Sequence, residues 1–426
     1  MLSPAPLLLL FGLAAGPLGT GPSADGLDDF VERVREGDPE RGLAVLEDLQ
    51  PAATERLVAV LARIEPLAEE SFLSFQEREL LLGAIDRLDA KRVLSAVERR
   101  GRADLPMVSR LDLIEIAGAT EDPRAVGTIL TVFGEIDEVK QQNAVVRAAV
   151  RSGLARASAH RKGALQVADA ALDEEAHPVL VEDCVRALGE THSLEVVPAL
   201  ERILGQSSAL EEAVVHALGE LEARVPSPPL ERARDLVERS LLSIDSDVRV
   251  AAAGALARLG DFESAVALAD ALADADLRVR LAVQAALVRM TGRDFGRDDE
   301  IWLAWTADEA DWLATELPDL AEQYAGADPA AVSQAQRVLL QHPWHAPEIA
   351  RALGGALDRA DAERAAAICA ALAGLGGPTA VELLIEVADD PRAAVRSAAL
   401  AALAAATDGG PLEDAEAWRR WAGLDG

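Results

Sequence analysis

Aromatic residues are scarce in this chain: one Tyr, seven Phe and six Trp make up 3% of its 426 residues. The apolar residues, half of the total, are mostly Ala, Leu and Val. Ala and Leu are strong helix formers, so the composition favours an all-α protein. Cysteine occurs twice, at Cys184 and Cys369, each in an apolar helical stretch. Two such distant residues make neither a zinc site nor a disulfide framework, and they read as small buried hydrophobes. Lysine stands only at 91, 140 and 162, and the net charge is −32. That field repels phosphate backbones, so no nucleic-acid partner is expected. An acidic, Lys-poor, Arg-rich surface fits a GC-rich genome, a salty habitat or simple solubility, and also a basic protein partner.

Long apolar runs are missing as well. Leu7–Ala15 (LLLLFGLAA) is shorter than the roughly 20 residues a membrane helix needs, and it matches the core of a signal peptide. No Lys or Arg precedes it and no A-x-A site follows, with cleavage near Ser23 or Ala24 the nearest fit. The leader 1–24 is expected to direct export to the periplasm or cell envelope. The alternative is a cytoplasmic protein with a mis-assigned start or a disordered tail. No later segment reads as a transmembrane span.

Catalytic signatures are equally sparse. The chain has no H-E-x-x-H, C-x-x-C, Walker loop, G-x-S-x-G or S-x-x-K. Asp294-Phe295-Gly296 lacks the companion motifs that give D-F-G its meaning in kinases. The carboxylates of 294–300 lack EF-hand spacing and read as helix capping. His342 and His345 form the one close histidine pair, in a turn set by Pro343 with no third metal ligand nearby in sequence, and they read as loop packing. No cofactor and no metal is expected.

What is present is a repeat. Asp247-Val248-Arg249-Val250-Ala251 leads to Ala255-Leu256; Val279-Arg280-Leu281-Ala282 leads to Ala286-Leu287; Val395-Arg396-Ser397-Ala398 leads to Ala402-Leu403. In each, Ala lies two residues after the Arg, and Ala-Leu six and seven after it. Leu256 to Leu287 and Leu372 to Leu403 are both 31 residues apart, and Ala187-Leu188-Gly189-Glu190 recurs 30 residues on as Ala217-Leu218-Gly219-Glu220. Val, Ala and Leu at these offsets share one helical face, and a shorter second helix follows, as at Ser193–Leu204 or Ser264–Ala273. Asp-Pro at 38–39, 122–123, 328–329 and 390–391 marks helix starts. Gly189, Gly219 and Gly260 follow first helices and are expected as left-handed caps. Neither helix buries its apolar face alone, so the hairpins must stack.

These motifs resemble HEAT repeats, especially the short units of phycobilin-lyase-type proteins. The resemblance is clear over 180–290 and 362–405, weaker over 106–165, and absent over 28–105, which is helical by pattern only. It implies an all-α α-solenoid and a polar ladder between successive units, for which Asp247 with Arg249, Asp276 with Arg280, and Asp390 with Arg396 are the candidates. The expected organisation is a leader at 1–24, an N-terminal helical region at 25–105, a repeat array at 106–290, connecting helices at 291–361 and a duplicated block at 362–426.

A shift of 116 residues superposes Arg280 on Arg396, Thr291 on Thr407, Asp298 on Asp414, Trp302 on Trp418 and Trp305 on Trp421. Two hairpins and a Trp-x-x-Trp helix were thus copied together. Three-residue spacing puts both Trp of a pair on one face, either packed over the preceding hairpins as a cap or displayed as a patch for a partner. The function expected is a non-catalytic scaffold for a protein partner, which charge would favour as basic. The rivals are a lyase-like enzyme or enzyme subunit using the solenoid as a cradle, and a self-associating envelope component.

Overall fold

The computed structural model describes Leu27 and residues 51–66, 73–259, 262–326, 328–407, 410 and 412–424. The leader, Asp38-Pro39 and Gly260 lie outside the described residues. Every regular element described is helical, and no described helix is long and apolar enough to cross a membrane. Two compact units result: one runs up to Thr120 and takes in Leu130–Ile136, the other holds Glu121–Ile129 and the chain from Asp137 on. The boundary expected at 105/106 falls inside the first unit.

The first unit contains α1 (Pro51–Leu61), α2 (Phe75–Leu82), α3 (Ala90–Gly101) and α4 (Met107–Ala119), with α1 packed on α3 and α4. Ser74 and Glu77 close a capping box at the start of α2, satisfying two orphan donors of its first turn. Arg78 is buried and donates to Asp112 (2.8 Å) and Glu115 (2.6 Å). Burial pushes the Asp112 carboxyl up, against the pull of Arg78 and Arg63.

Helix α5 (Ala125–Gly134) is divided between the units, and α6 (Glu138–Gln141) opens the continuous part of the second. Hairpins follow: α7 (Ala144–Ala157) with α8 (Arg161–Ala171), α9 (Pro178–Glu190) with α10 (Val197–Gln206), α11 (Glu211–Leu218) with α12 (Pro228–Ser240), α13 (Ser246–Leu259) with α14 (Glu263–Ala271), then α15 (Leu277–Thr291). Each first helix packs on the next, α7 on α9, α9 on α11, α11 on α13 and α13 on α15, while α8 packs on α10 and α10 on α12. That two-layered stacking is an α-solenoid. It continues through α16 (Asp299–Thr315), α17 (Leu317–Ala325), α18 (Pro329–Leu339), α19 (Ala346–Ala356), α20 (Ala362–Leu375), α21 (Gly377–Val387), α22 (Ala393–Ala406) and α23 (Ala415–Ala422).

The repeated glycines play another part than expected. Gly189 lies inside α9 and Gly219 has a right-handed backbone (φ −72°), so neither is a left-handed cap. A Cβ on Gly189 would stand 2.8 Å from Ala217 Cα, and one on Gly219 2.8 Å from Ala255 Cα. Both glycines are thus imposed by close contact with the next first helix. Gly219→Ala forces backbone apart and is expected to cost about 1–3 kcal/mol in urea unfolding, as overpacking does. Gly205→Ala, where a Cβ meets nothing within 4 Å, should lose no stability.

Of the Asp-Pro pairs, Asp328 caps α18 with Pro329 in its first turn. Asp122 and Asp390 instead accept from Arg124 N and Arg392 N (2.8 and 2.7 Å) in turns that end before α5 and α22 begin. Cys184 and Cys369 are buried, and burial pushes their thiols up to about 12 and about 11.

Candidate functional site

The signature arginines share one geometry. Arg249 Nη1 donates to the carbonyls of Ser243 and Ile244, Arg280 Nη1 to those of Asp274 and Ala275, and Arg396 Nη1 to those of Asp390 and Pro391, at 2.6–3.3 Å. Each therefore staples the turn that enters its own helix. The ladder pairs drawn from the sequence are not formed as ion pairs. Asp247 and Arg249, two residues apart, do not share a helical face. Asp276 spends its carboxylate on capping Arg278 N and on the Arg278 guanidinium, and Asp390 spends its own on Arg392. The rungs between successive units run differently: Arg249 makes a two-point contact with Asp274 (2.6 and 3.0 Å), and Arg278 reaches back to Asp247 (2.6 Å). The Arg249 hydrogen bond holds the Asp274 carboxyl below its ordinary range.

One further rung escaped sequence reading. Asp183 is fully buried and takes the Arg147 guanidinium through Nε and Nη2 at 2.8–3.1 Å. The signal was available: Val146-Arg147-Ala148-Ala149 followed by Gly153-Leu154 keeps the signature register with Gly in place of Ala.

The duplicated tryptophans divide into inner and outer members. Trp302 and Trp418 are fully buried, whereas Trp305 and Trp421 are half-buried. Each pair meets edge to face, at 5.7 and 5.4 Å, a favourable ring geometry. Asp298 and Asp414 cap the two helices through the backbone N–H three residues on. Trp302 Nε1 donates to Gly296 O (3.0 Å), while Trp418 Nε1 finds no partner among the described residues. The outer rings each carry a guanidinium, Arg293 over Trp305 at 5.7 Å and Arg224 over Trp421 at 4.7 Å.

His342 and His345 sit against Glu309 of α16, which the sequence places 33 residues upstream of His342. Glu309 Oε2 lies 2.7 Å from His342 Nδ1, 3.1 Å from Trp344 Nε1 and 3.2 Å from His345 Nε2. Trp312 stacks on His342 at 3.7 Å. This buried knot fastens the turn before α19 to α16. Among the described residues, no group of three or more His, Cys, Asp or Glu is arranged to hold a metal ion.

A groove of about 1080 Å³ in the second unit is lined by α9 and α11, by the turns after α8 and α10 that lead into them, and by His192 and Glu220 beyond their far ends. Its walls carry Asp173, Glu174, Glu182, Glu190, Glu212 and Glu220 against a single arginine, Arg186, and two histidines, His192 and His216. Three of the carboxylates are neutralised: Glu182 by Arg186 and Arg147, Glu190 by Arg151 and Glu220 by Arg258. Although burial raises it, the Glu182 carboxyl is held below its usual range by Arg186 and Arg147. Glu174 and Glu212 make no ion pair among the described residues.

The spacing, the staples and the rungs define an α-solenoid of HEAT-like hairpins. No protein-family model and no curated protein sequence matches the chain. Among solved structures it is similar to the CpcE–CpcF complex of phycocyanin lyase from Nostoc, at 17% identity over 70% of this chain and 99% of that one, with a TM-score of 0.23. It is similar to yeast importin-beta at 14% identity over 91% of this chain, with a TM-score of 0.36, and spans about half (54%) of that protein. Human deoxyhypusine hydroxylase matches at 18% identity over 83% of this chain and 97% of its own, with a TM-score of 0.20.

Proposed function

We propose that the chain is a non-catalytic scaffold that holds a basic segment of a partner protein in the groove between α9 and α11. The observation that carries this reading is the groove itself: a cleft large enough for several side chains, in which Glu174 and Glu212 remain uncompensated in a molecule of net charge −32. Charge of that kind acts on encounter and on choice of partner more than on raw affinity. Leu7–Ala15 supports export, so the partner is sought in the cell envelope. The test is capture of basic peptides from an envelope extract, followed by binding kinetics of the recovered peptide at several salt concentrations. Glu174→Gln/Glu212→Gln is expected to slow association and flatten its salt dependence, because fewer charges steer the encounter. Binding that ignores both the double substitution and salt would move the partner surface elsewhere.

A further inference from the structure

In a solenoid each unit touches only its neighbours, so a contact between distant units means that the array has curved back on itself. One such contact exists within the second unit. The connection between α11 and α12, residues 219–227, has no regular structure and is longer than a hairpin needs. Glu222 N bonds back to His192 O (3.4 Å) at its near end. Beyond that, Val225 is buried (6% exposed) in the hydrophobic cluster whose other buried members run from Trp312 to Trp418. Arg224 Nη1 donates to Trp421 O, 197 residues away in sequence, and its guanidinium lies 4.7 Å from the Trp421 ring.

The chemistry of this contact is specific. Helix α23 ends at Gly423 in a left-handed cap (φ 75°), whose N–H is directed to Arg419 and Arg420. The last carbonyls of a helix lack intrahelical donors, and Trp421 O is one of them. A cation there also meets the negative end of the helix dipole. In the first copy of the block the helix runs on to Thr315, so Trp305 O lies in a helix interior and offers no such acceptor. There the guanidinium comes from Arg293, 12 residues away, and bonds to no carbonyl of α16. The same Trp–guanidinium seat is thus local in one copy and joins distant parts of the array in the other.

We propose that the 219–227 connection and α23 form a clasp that closes residues 211–422 into a circuit, with Arg224 as the latch and Val225 as its buried peg. The latch is exposed and the peg is one valine, so the clasp opens far more readily than any hairpin interface unfolds. Closure fixes the curvature of the array and covers the end of α23. This inference does not depend on what the groove between α9 and α11 binds.

Dipolar EPR on the full chain tests it, with spin labels on cysteines placed at the exposed positions Glu222 and Glu416. The native thiols, buried and pushed up to about 12 and about 11, stay unlabelled. The doubly labelled protein is expected to give one narrow, short distance. Arg224→Glu, which sets a carboxylate against both the ring face and the helix end, is expected to lose that peak in favour of longer, broader distances with helicity unchanged by circular dichroism. Arg224→Lys should retain part of it. A long, broad distribution in the unsubstituted background, or a narrow short peak that survives both Arg224→Glu and Val225→Asp, overturns the clasp. Should Val225→Asp fail to fold, the exposed Arg224 substitution and the unsubstituted distance decide.

Discussion

Trp302→Ala and Trp418→Ala are each expected to cost about 3–5 kcal/mol of stability, the range for removing a fully buried large aromatic. Both rings have no exposed surface, and their helices α16 and α23 pack on α14 and α21. In this reading the inner tryptophans cap and the outer ones, Trp305 and Trp421, seat a guanidinium. Trp305→Ala and Trp421→Ala remove half-buried rings and should cost distinctly less. Phenylalanine separates area from polarity. Trp302→Phe leaves Gly296 O without its donor, whereas Trp418→Phe removes a buried N–H that has no partner among the described residues. A buried polar group left unmade costs about 1–3 kcal/mol, so Trp418→Phe should be the milder of the two. Urea titrations followed by circular dichroism decide this. Equal losses for inner and outer tryptophans would remove the distinction and return the pairs to a shared role at a partner surface.

How much was legible in the sequence depends on where each partner lies. The register of Val, Arg, Ala and Leu in 248–256, 279–287 and 395–403 records one helical face, and faces are local. The all-α solenoid and the 116-residue duplication could therefore be read directly. Gly189 looked like a helix terminus because it is followed by a turn, but its role is fixed by Ala217, 28 residues away in the next unit. Glu309 gave no sign of meeting His342 because the intervening helices carry no motif that reports how they fold back. The ladder shows the same limit. The aspartates and arginines near each first helix were the right neighbourhood, yet Asp274 and Arg278, which complete the rungs, are visible only once successive turns are stacked. Arg224 on Trp421 is the extreme case, since nothing in a linear repeat announces that the array returns to itself.

The rung at Asp183 should show the other large effect, because here the carboxylate is wholly buried, whereas Asp274 in its rung is only partly buried and Asp247 is exposed. Arg147→Ala leaves that carboxylate with Arg151 at 3.8 Å as its remaining cation, and breaking a buried pair from one side typically costs about 3–5 kcal/mol. The Asp183 hydrogen bond in turn holds the Arg147 proton more tightly than usual, as expected of a charge-assisted contact with two donors on one carboxylate. Arg147→Lys keeps the charge but not the planar fork, so it should fall between Arg147→Ala and the unsubstituted protein. Adding Asp183→Ala to Arg147→Ala should restore part of the loss, since the stranded charge disappears with it. The mutant cycle measures that coupling. Arg232→Ala provides the reference, for its ion pair with Glu201 is solvent-exposed and such pairs contribute about 0–1 kcal/mol. Comparable losses at Arg147 and Arg232 in urea unfolding would mean that the Asp183 site is wet, and that α7 and α9 are held together by their apolar faces alone.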